Sequence, residues 1–396
     1  LVIPLSVASS IGGCATDGAG EGASASGGTS ESGGDGEVCG PNLHGDDSTC
    51  DNGQIDPGEL CWRHSETLDP GLSAAGLIEV ADFDGDGHQD ILAEVWVYFG
   101  DGGGNFSAPV QYAPFRHDDP VNGPGYLLVG ELDGKPGADI IWSVYLADDP
   151  DELRVVTGGP NFPQDGPVST IGDVEAGFFA LGDVNGDGLD DVALADFERL
   201  QWGRNTGSGA FAFSVLEQGG DFGTHARIAD VEGDGDQDII YPNVGAPLWY
   251  LGDGKGGLEK KLGSPDVDNG NFGHDFDCDG NNDVVQGAGG LGQPLRIELY
   301  AGDGLGGFEK KAEFPTQSNS SLEDIGDVNQ DGAVDFAFNG YPVPILLGDS
   351  AWGLDDPISP FEPDYSHVRF ADFNEDGAMD AVAMKYTAIQ VWLAQP

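Results

Sequence analysis

The sequence predicts an all-β fold, a seven-bladed β-propeller over residues 65–396, and three observations carry that prediction. An acidic loop recurs seven times, as VADFDGDGHQDIL, VGELDGKPGADII, LGDVNGDGLDDVA, IADVEGDGDQDII, GHDFDCDGNNDVV, IGDVNQDGAVDFA and FADFNEDGAMDAV. The loops start at Asp82, Glu131, Asp183, Asp230, Asp275, Asp327 and Asp372, 45 to 52 residues apart, which is the period of a four-stranded blade. Composition agrees, since 66 glycines and a scarcity of lysine, arginine and methionine favour a turn-rich sheet protein over a helical one.

Each unit reads in the same order: an apolar strand, the acidic loop, a second apolar strand, a third that often ends in Gly-Asp-Gly, and a fourth such as SAPVQYAP. The third-strand endings include YFGDGGGNF at Tyr98, YLGDGKGGL at Tyr250 and YAGDGLGGF at Tyr300. The residue two before each loop is Val80, Val129, Leu181, Ile228, Gly273, Ile325 or Phe370, apolar in six units, as an innermost strand between blades requires. The last unit stops after its third strand, AIQVWLAQ, so Ser65 to Leu72 is expected to supply the missing outer strand and close the ring.

The loops carry the chemistry. Calcium takes six to eight oxygens, and a nine-residue loop offers side chains at positions 1, 3, 5 and 9 with a carbonyl at 7, while glycine at 6 permits the turn. In loop 1 these are Asp82, Asp84, Asp86, the His88 carbonyl and Asp90. Loop 3 offers Asp183, Asn185, Asp187, the Leu189 carbonyl and Asp191, and loop 4 offers Asp230, Glu232, Asp234, the Asp236 carbonyl and Asp238. Loop 5 has Asp275, Asp277, Asp279, the Asn281 carbonyl and Asp283. Loop 6 has Asp327, Asn329, Asp331, the Ala333 carbonyl and Asp335, and loop 7 has Asp372, Asn374, Asp376, the Ala378 carbonyl and Asp380. Glu232 is longer than aspartate and loosens its site. Loop 2 keeps Glu131, Asp133 and Asp139 but places Lys135 and Pro136 where a carboxylate and the glycine belong, so no calcium is expected there and Lys135 is expected to pair with the carboxylates. About six Ca2+ ions follow. The EF-hand alternative fails because position 12 is Ala93 in loop 1 and Leu194 in loop 3, where an acid is needed.

These loops, with the Gly-Asp-Gly-x-x-x-Phe turns, resemble FG-GAP and VCBS-type repeats, related to the integrin α-subunit propeller, over roughly residues 65–396. The resemblance implies an extracellular propeller, and because some such propellers are lectins it also implies glycan binding as a possible role.

Ahead of the repeats, LVIPLSVASSIGG followed by Cys14 fits the apolar region and cleavage site of an export signal, and IGGC resembles the lipobox of bacterial lipoproteins. That resemblance implies lipidation of Cys14, with an ordinary secreted protein as the alternative. Residues 1–14 are thus read as a signal remnant, 15–38 as a disordered Gly/Ser-rich tether, and 39–64 as a small cysteine-rich segment. Within the last, CDNGQIDPGELC resembles a small cysteine-rich repeat common in myxobacterial surface proteins, which implies a Cys50–Cys61 bridge. The partners of Cys39 and Cys278 are left open. The expected location is the bacterial cell envelope, lipid-anchored, or the extracellular space.

A formal charge of −55 excludes phosphate-backbone binding, which draws on lysine and arginine. No G-x-S-x-G, H-E-x-x-H or phosphate-binding glycine motif occurs, and the repeats consume most of the chain, so no enzyme is expected. Six residues after five of the loops stands an aromatic, Trp96, Tyr145, Phe197, Tyr341 or Tyr386, which could form a ligand face or simply pack between blades. His274 stands where the other units have alanine or glycine and is read as a packing residue. Three residues before the loops, Glu79, Arg227, Asp324 and Arg369 are read as a salt-bridge set near the axis. The expected function is a monomeric calcium-binding surface module for a glycan or protein ligand. A carbohydrate-active propeller enzyme, such as a polysaccharide lyase, and a purely structural envelope protein are the alternatives.

Overall fold

Alternating apolar runs and glycine-rich turns become short antiparallel strands. The computed structural model describes residues 60–394 except 69–76, 94–95, 112–126, 145–151, 171–178, 196–198, 220–225, 242–246, 265–266, 268–270, 291–292, 317–321, 339–342, 350, 356–357, 359, 362–364 and 386–387. The expected signal and tether, with Cys14, Cys39 and Cys50, lie outside the described residues. Among those described there is no helix, and the strands fall into seven antiparallel sheets, the blades of a propeller.

Blade 1 is typical, with strands Ile78–Ala81, Asp90–Ala93, Trp96–Tyr98 and Val110–Gln111 hydrogen-bonded in that order. Among the described residues blade 6 has three strands, with an isolated bridge from Ile345 of the third to Ile358. The first strand of every blade is an edge strand. Those of blades 7 and 1, 6 and 7, 2 and 3, and 3 and 4 touch one another, so the first strands line the axis.

The core lies between the blades. Leu92 and Val97 of blade 1 meet Leu127, Ile140, Trp142 and Val156 of blade 2, and loop 1 drives Phe83 into the same cluster. Position 2 is a buried apolar residue in all seven loops: Phe83, Leu132, Val184, Val231, Phe276, Val328 and Phe373. Each such burial stabilises the ring by roughly 1.5–3 kcal/mol.

Closure follows the expected scheme, with shifted bounds. Strand Trp62–Leu68 pairs antiparallel with Ala388–Ala394 as the outer strand of blade 7, so it begins three residues before Ser65. The Trp62 indole donates to the Met379 carbonyl at 2.8 Å, and its ring stacks on Phe361.

Three first strands carry a bulge. In blade 5, Phe272 pairs with Val284 and His274 with Asp283, leaving Gly273 as the extra residue, which explains the one glycine among the apolar positions. Glu323 and His367 are the extra residues in blades 6 and 7.

Candidate metal loops and axial cluster

In all seven units the last residue of the first strand pairs with position 9 of the loop, from Ala81 with Asp90 to Ala371 with Asp380. The acidic loop is therefore the hairpin connection itself. Its position-9 aspartate is fully buried in every blade. One carboxylate oxygen accepts an N–H at or just past the end of the third strand, from Gly100, Gly158, Asn205, Gly252, Gly302, Gly348 or Ala394, at 2.6–2.9 Å. The other accepts the position-2 N–H in six loops at 2.7–2.9 Å. In loop 3 it takes the Asn185 amide and the Trp202 indole instead. Sequence reasoning saw this residue only as a metal ligand and missed its role as a staple between strands. Burial is the main cause that pushes Asp90, Asp139, Asp238, Asp283 and Asp380 up to about 7, against the pull of these hydrogen bonds.

Six loops share one backbone scaffold. The position-1 aspartate accepts the position-5 N–H on one oxygen at 3.0–3.3 Å. On the other it accepts the position-6 glycine N–H at 2.7–2.9 Å. The position-5 aspartate accepts the position-7 N–H at 2.8–3.1 Å. Position 6 is left-handed, with φ of 84–95°, so its glycine is required. Position 4 is left-handed too, including Cys278, Gln330 and Glu375, a second turn that sequence reasoning did not mark.

The carboxylates converge. One oxygen each from Asp82, Asp84 and Asp86, and from Asp275, Asp277 and Asp279, lie within 4.8 Å of one another. Burial and the neighbouring Asp86 and Asp82 raise Asp84 above the ordinary range. Oxygen-only donors packed this closely suit a hard divalent cation. In loops 3, 6 and 7 an asparagine takes the middle place, and in loop 4 Glu232 reaches toward Lys261 at 3.4 Å. At position 7 the His88 ring meets Glu375 of blade 7.

Loop 2 does not fit the same ion. Glu131, Asp133 and Asp139 converge, but the Lys135 ammonium pairs with Asp133 as expected. Pro136 has no N–H to donate to position 1, and the left-handed turn moves from position 6 to Gly137 at φ 103°.

Neighbouring loops are tied together. Ala138 of blade 2 donates to the Asp82 carbonyl at 2.6 Å, and Asp190 of blade 3 donates to that of Glu131 at 2.7 Å. The Asn282 amide reaches the Asp230 carbonyl, Trp352 reaches Asp277, Gln330 reaches the Gly377 carbonyl, and Gly104 donates to the Phe373 carbonyl.

At the axis, Arg369 joins three blades: it bonds the Glu79 carboxylate at 3.3 Å and the Glu323 carbonyl at 2.8 Å. Asp324 accepts the Phe370 N–H at 2.6 Å, and His367 meets Glu323 at 3.1 Å. Glu79, Asp324 and Arg369 thus form the expected cluster, while Arg227 donates to the Ala226 carbonyl. Glu323 and His367 were missed because the bulges bring them there.

Of the aromatic positions, Trp96 packs half-buried among Ile78, Ile91, Met384 and Val391 between blades 1 and 7. Tyr145, Phe197, Tyr341 and Tyr386 lie outside the described residues. His274 is buried and stacks on Phe276 at 5.9 Å, and burial lowers its pKa to about 4. Cys61 and Cys278 are each disulfide-bonded.

The fold and its loops define a seven-bladed propeller with aspartate-rich inter-strand hairpins. Residues 183–241, loop 3 through the second strand of blade 4, match the family described as FG-GAP-like repeat, the resemblance their loops led us to expect. Comparison with curated proteins found no match. Among solved structures, an Agrocybe aegerita lectin that recognises non-reducing terminal N-acetylglucosamine is similar, with TM-score 0.54 and 18% identity over 80% of this chain and 87% of that one. BBS1N, solved in complex with ARL6DN, aligns with TM-score 0.52 and 9% identity over 84% and 97%. The Dos1 propeller aligns with TM-score 0.50 and 8% identity over 84% and 96%. Identities this low speak for the fold alone.

Proposed function

We propose that the protein is an exported, calcium-stabilised propeller that acts as a binding or adhesion module for a glycan or protein ligand, with no catalytic activity of its own. The observation that carries the metal reading is the common scaffold of six loops, held by the same three backbone hydrogen bonds to aspartate, with carboxylate oxygens converging in loops 1 and 5. About six Ca2+ ions would bind through positions 1, 3, 5 and 9 and the position-7 carbonyl, and would offset the repulsion of the clustered carboxylates. The ions serve the fold; recognition falls to the surfaces between loops. The lectin's fold likeness supports a glycan as ligand, and the protein complex of BBS1N supports a protein. Export, with anchoring through Cys14 or release outside the cell, rests on the N-terminal sequence.

Thermal melting with calcium and with chelator tests the metal reading, and an unchanged midpoint would sink it. A glycan array run under both conditions tests recognition: calcium-dependent hits support the lectin reading, depolymerised ligand points to an enzyme, and silence turns the search to protein ligands.

A further inference from the structure

Loop 2 differs from its six counterparts in chemistry as well as sequence. Four carboxylates with one divalent ion, as in loop 1, and three carboxylates with one ammonium, as in loop 2, carry the same formal charge of minus two. The Lys135 ammonium sits on Asp133, whose side chain is only 3% exposed. Neighbouring backbone lies close to its shifted turn. A Cβ on Gly137 would come 2.2 Å from the Gly159 nitrogen, whereas one on Gly87, Gly188, Gly235, Gly280 or Gly377 would meet nothing within 4 Å.

Loop 2 also stands in the middle of the hydrogen-bonded chain of loops. Blade 2 donates to loop 1 from Ala138 and from Gly159, the latter to the Phe83 carbonyl at 2.9 Å. Loop 2 accepts from blade 3 through Asp190 and through Gly209, whose N–H reaches the Leu132 carbonyl at 2.8 Å, and Glu131 N–H returns a bond to the Asp190 carboxylate.

We propose that the Lys135 ammonium is the resident cation of loop 2, a side chain standing in for the metal ion of the other loops, so that the junctions of blade 2 with blades 1 and 3 hold without metal. The contrast with the other loops rests on the calcium reading above, but the role of Lys135 does not.

Hydrogen exchange on the full chain, with calcium and with chelator, tests it. In chelator the wild-type amides of Ala138, Gly159, Asp190 and Gly209 keep their protection while that of Gly104, at the junction of blades 7 and 1, exchanges faster. Lys135→Met quickens exchange at Ala138 and Asp190 about fivefold or more in chelator, and Lys135→Arg restores it. Unchanged exchange in Lys135→Met overturns the proposal whether or not calcium binds elsewhere. Lys135→Asp combined with Pro136→Gly adds one bound calcium per chain by titration calorimetry, and an unchanged count among calcium-binding chains overturns it too. No calcium bound by the wild type refutes the calcium reading alone, and Lys135→Met then decides the role of the lysine.

Discussion

Loops 1 and 2 occupy adjacent blades, connect the same two strands in the same register, and end in the same buried aspartate. They part at positions 5 and 6, where Asp86 and Gly87 face Lys135 and Pro136. The shared part holds strands together, and the differing part is where the proposed cation changes. Two jobs that look like one acidic motif in the sequence are thereby separable.

The largest effect should ignore the difference. Asp90→Ala and Asp139→Ala each leave one buried and one half-buried N–H group without an acceptor, so both are expected to cost about 3 kcal/mol, read by urea unfolding in chelator. Clearly unequal losses would break the comparison. The next exposes the difference in backbone: Gly137→Ala meets both a left-handed φ and the Gly159 backbone and should cost about 3 kcal/mol, while Gly87→Ala, in open space, should cost about 1 kcal/mol. Matching shifts in melting temperature for the two variants would show that loop 2 is no tighter. Third, Asp82→Asn should lose about 1–2 kcal/mol in calcium and little in chelator, whereas Glu131→Gln should show no calcium-dependent loss. Differential scanning calorimetry across calcium concentrations reads both.

The smallest effect extends the comparison to blade 5, where chain-borne cations again hold a carboxylate. Burial opposes ionisation of Glu298, yet hydrogen bonds from Lys310, Tyr300, Arg296 and Gln286 outweigh it and bring the group down to about 2. A depressed carboxylate contributes stability above its ordinary pKa of about 4.5 and loses it as pH falls through about 2. Glu298→Gln should therefore be less stable than wild type near neutrality, by about 1 kcal/mol or less after solvent screening, with the gap closing in acid. Chemical denaturation at several pH values measures that gap.

The ring was legible because its signals repeat: loop spacing gave the blades, and the missing outer strand of the last unit pointed to a closing strand near Ser65. The axial cluster was half legible. Glu79, Asp324 and Arg369 follow from counting back from the loops, but Glu323 and His367 arrive through bulges that shift the count by one without a compositional mark. The position-9 staple was hidden for another reason: an aspartate that accepts backbone N–H groups and one that binds a metal are the same letter. The left-handed position 4 escaped notice because Cys278, Gln330 and Glu375 occupy it beside glycines.

The closing strand also sets where the molecule gives way under load. Tension arriving along the chain from before residue 60 meets the disulfide-bonded Cys61 and then Trp62–Leu68, the strand whose pairing with Ala388–Ala394 seals the ring. The Trp62 indole, lodged against Phe361 and Phe370 and bonded to Met379, fastens the start of that strand. Loss of this one strand would open the ring at a single seam, while the sheets of the other six blades would keep all of their own strands.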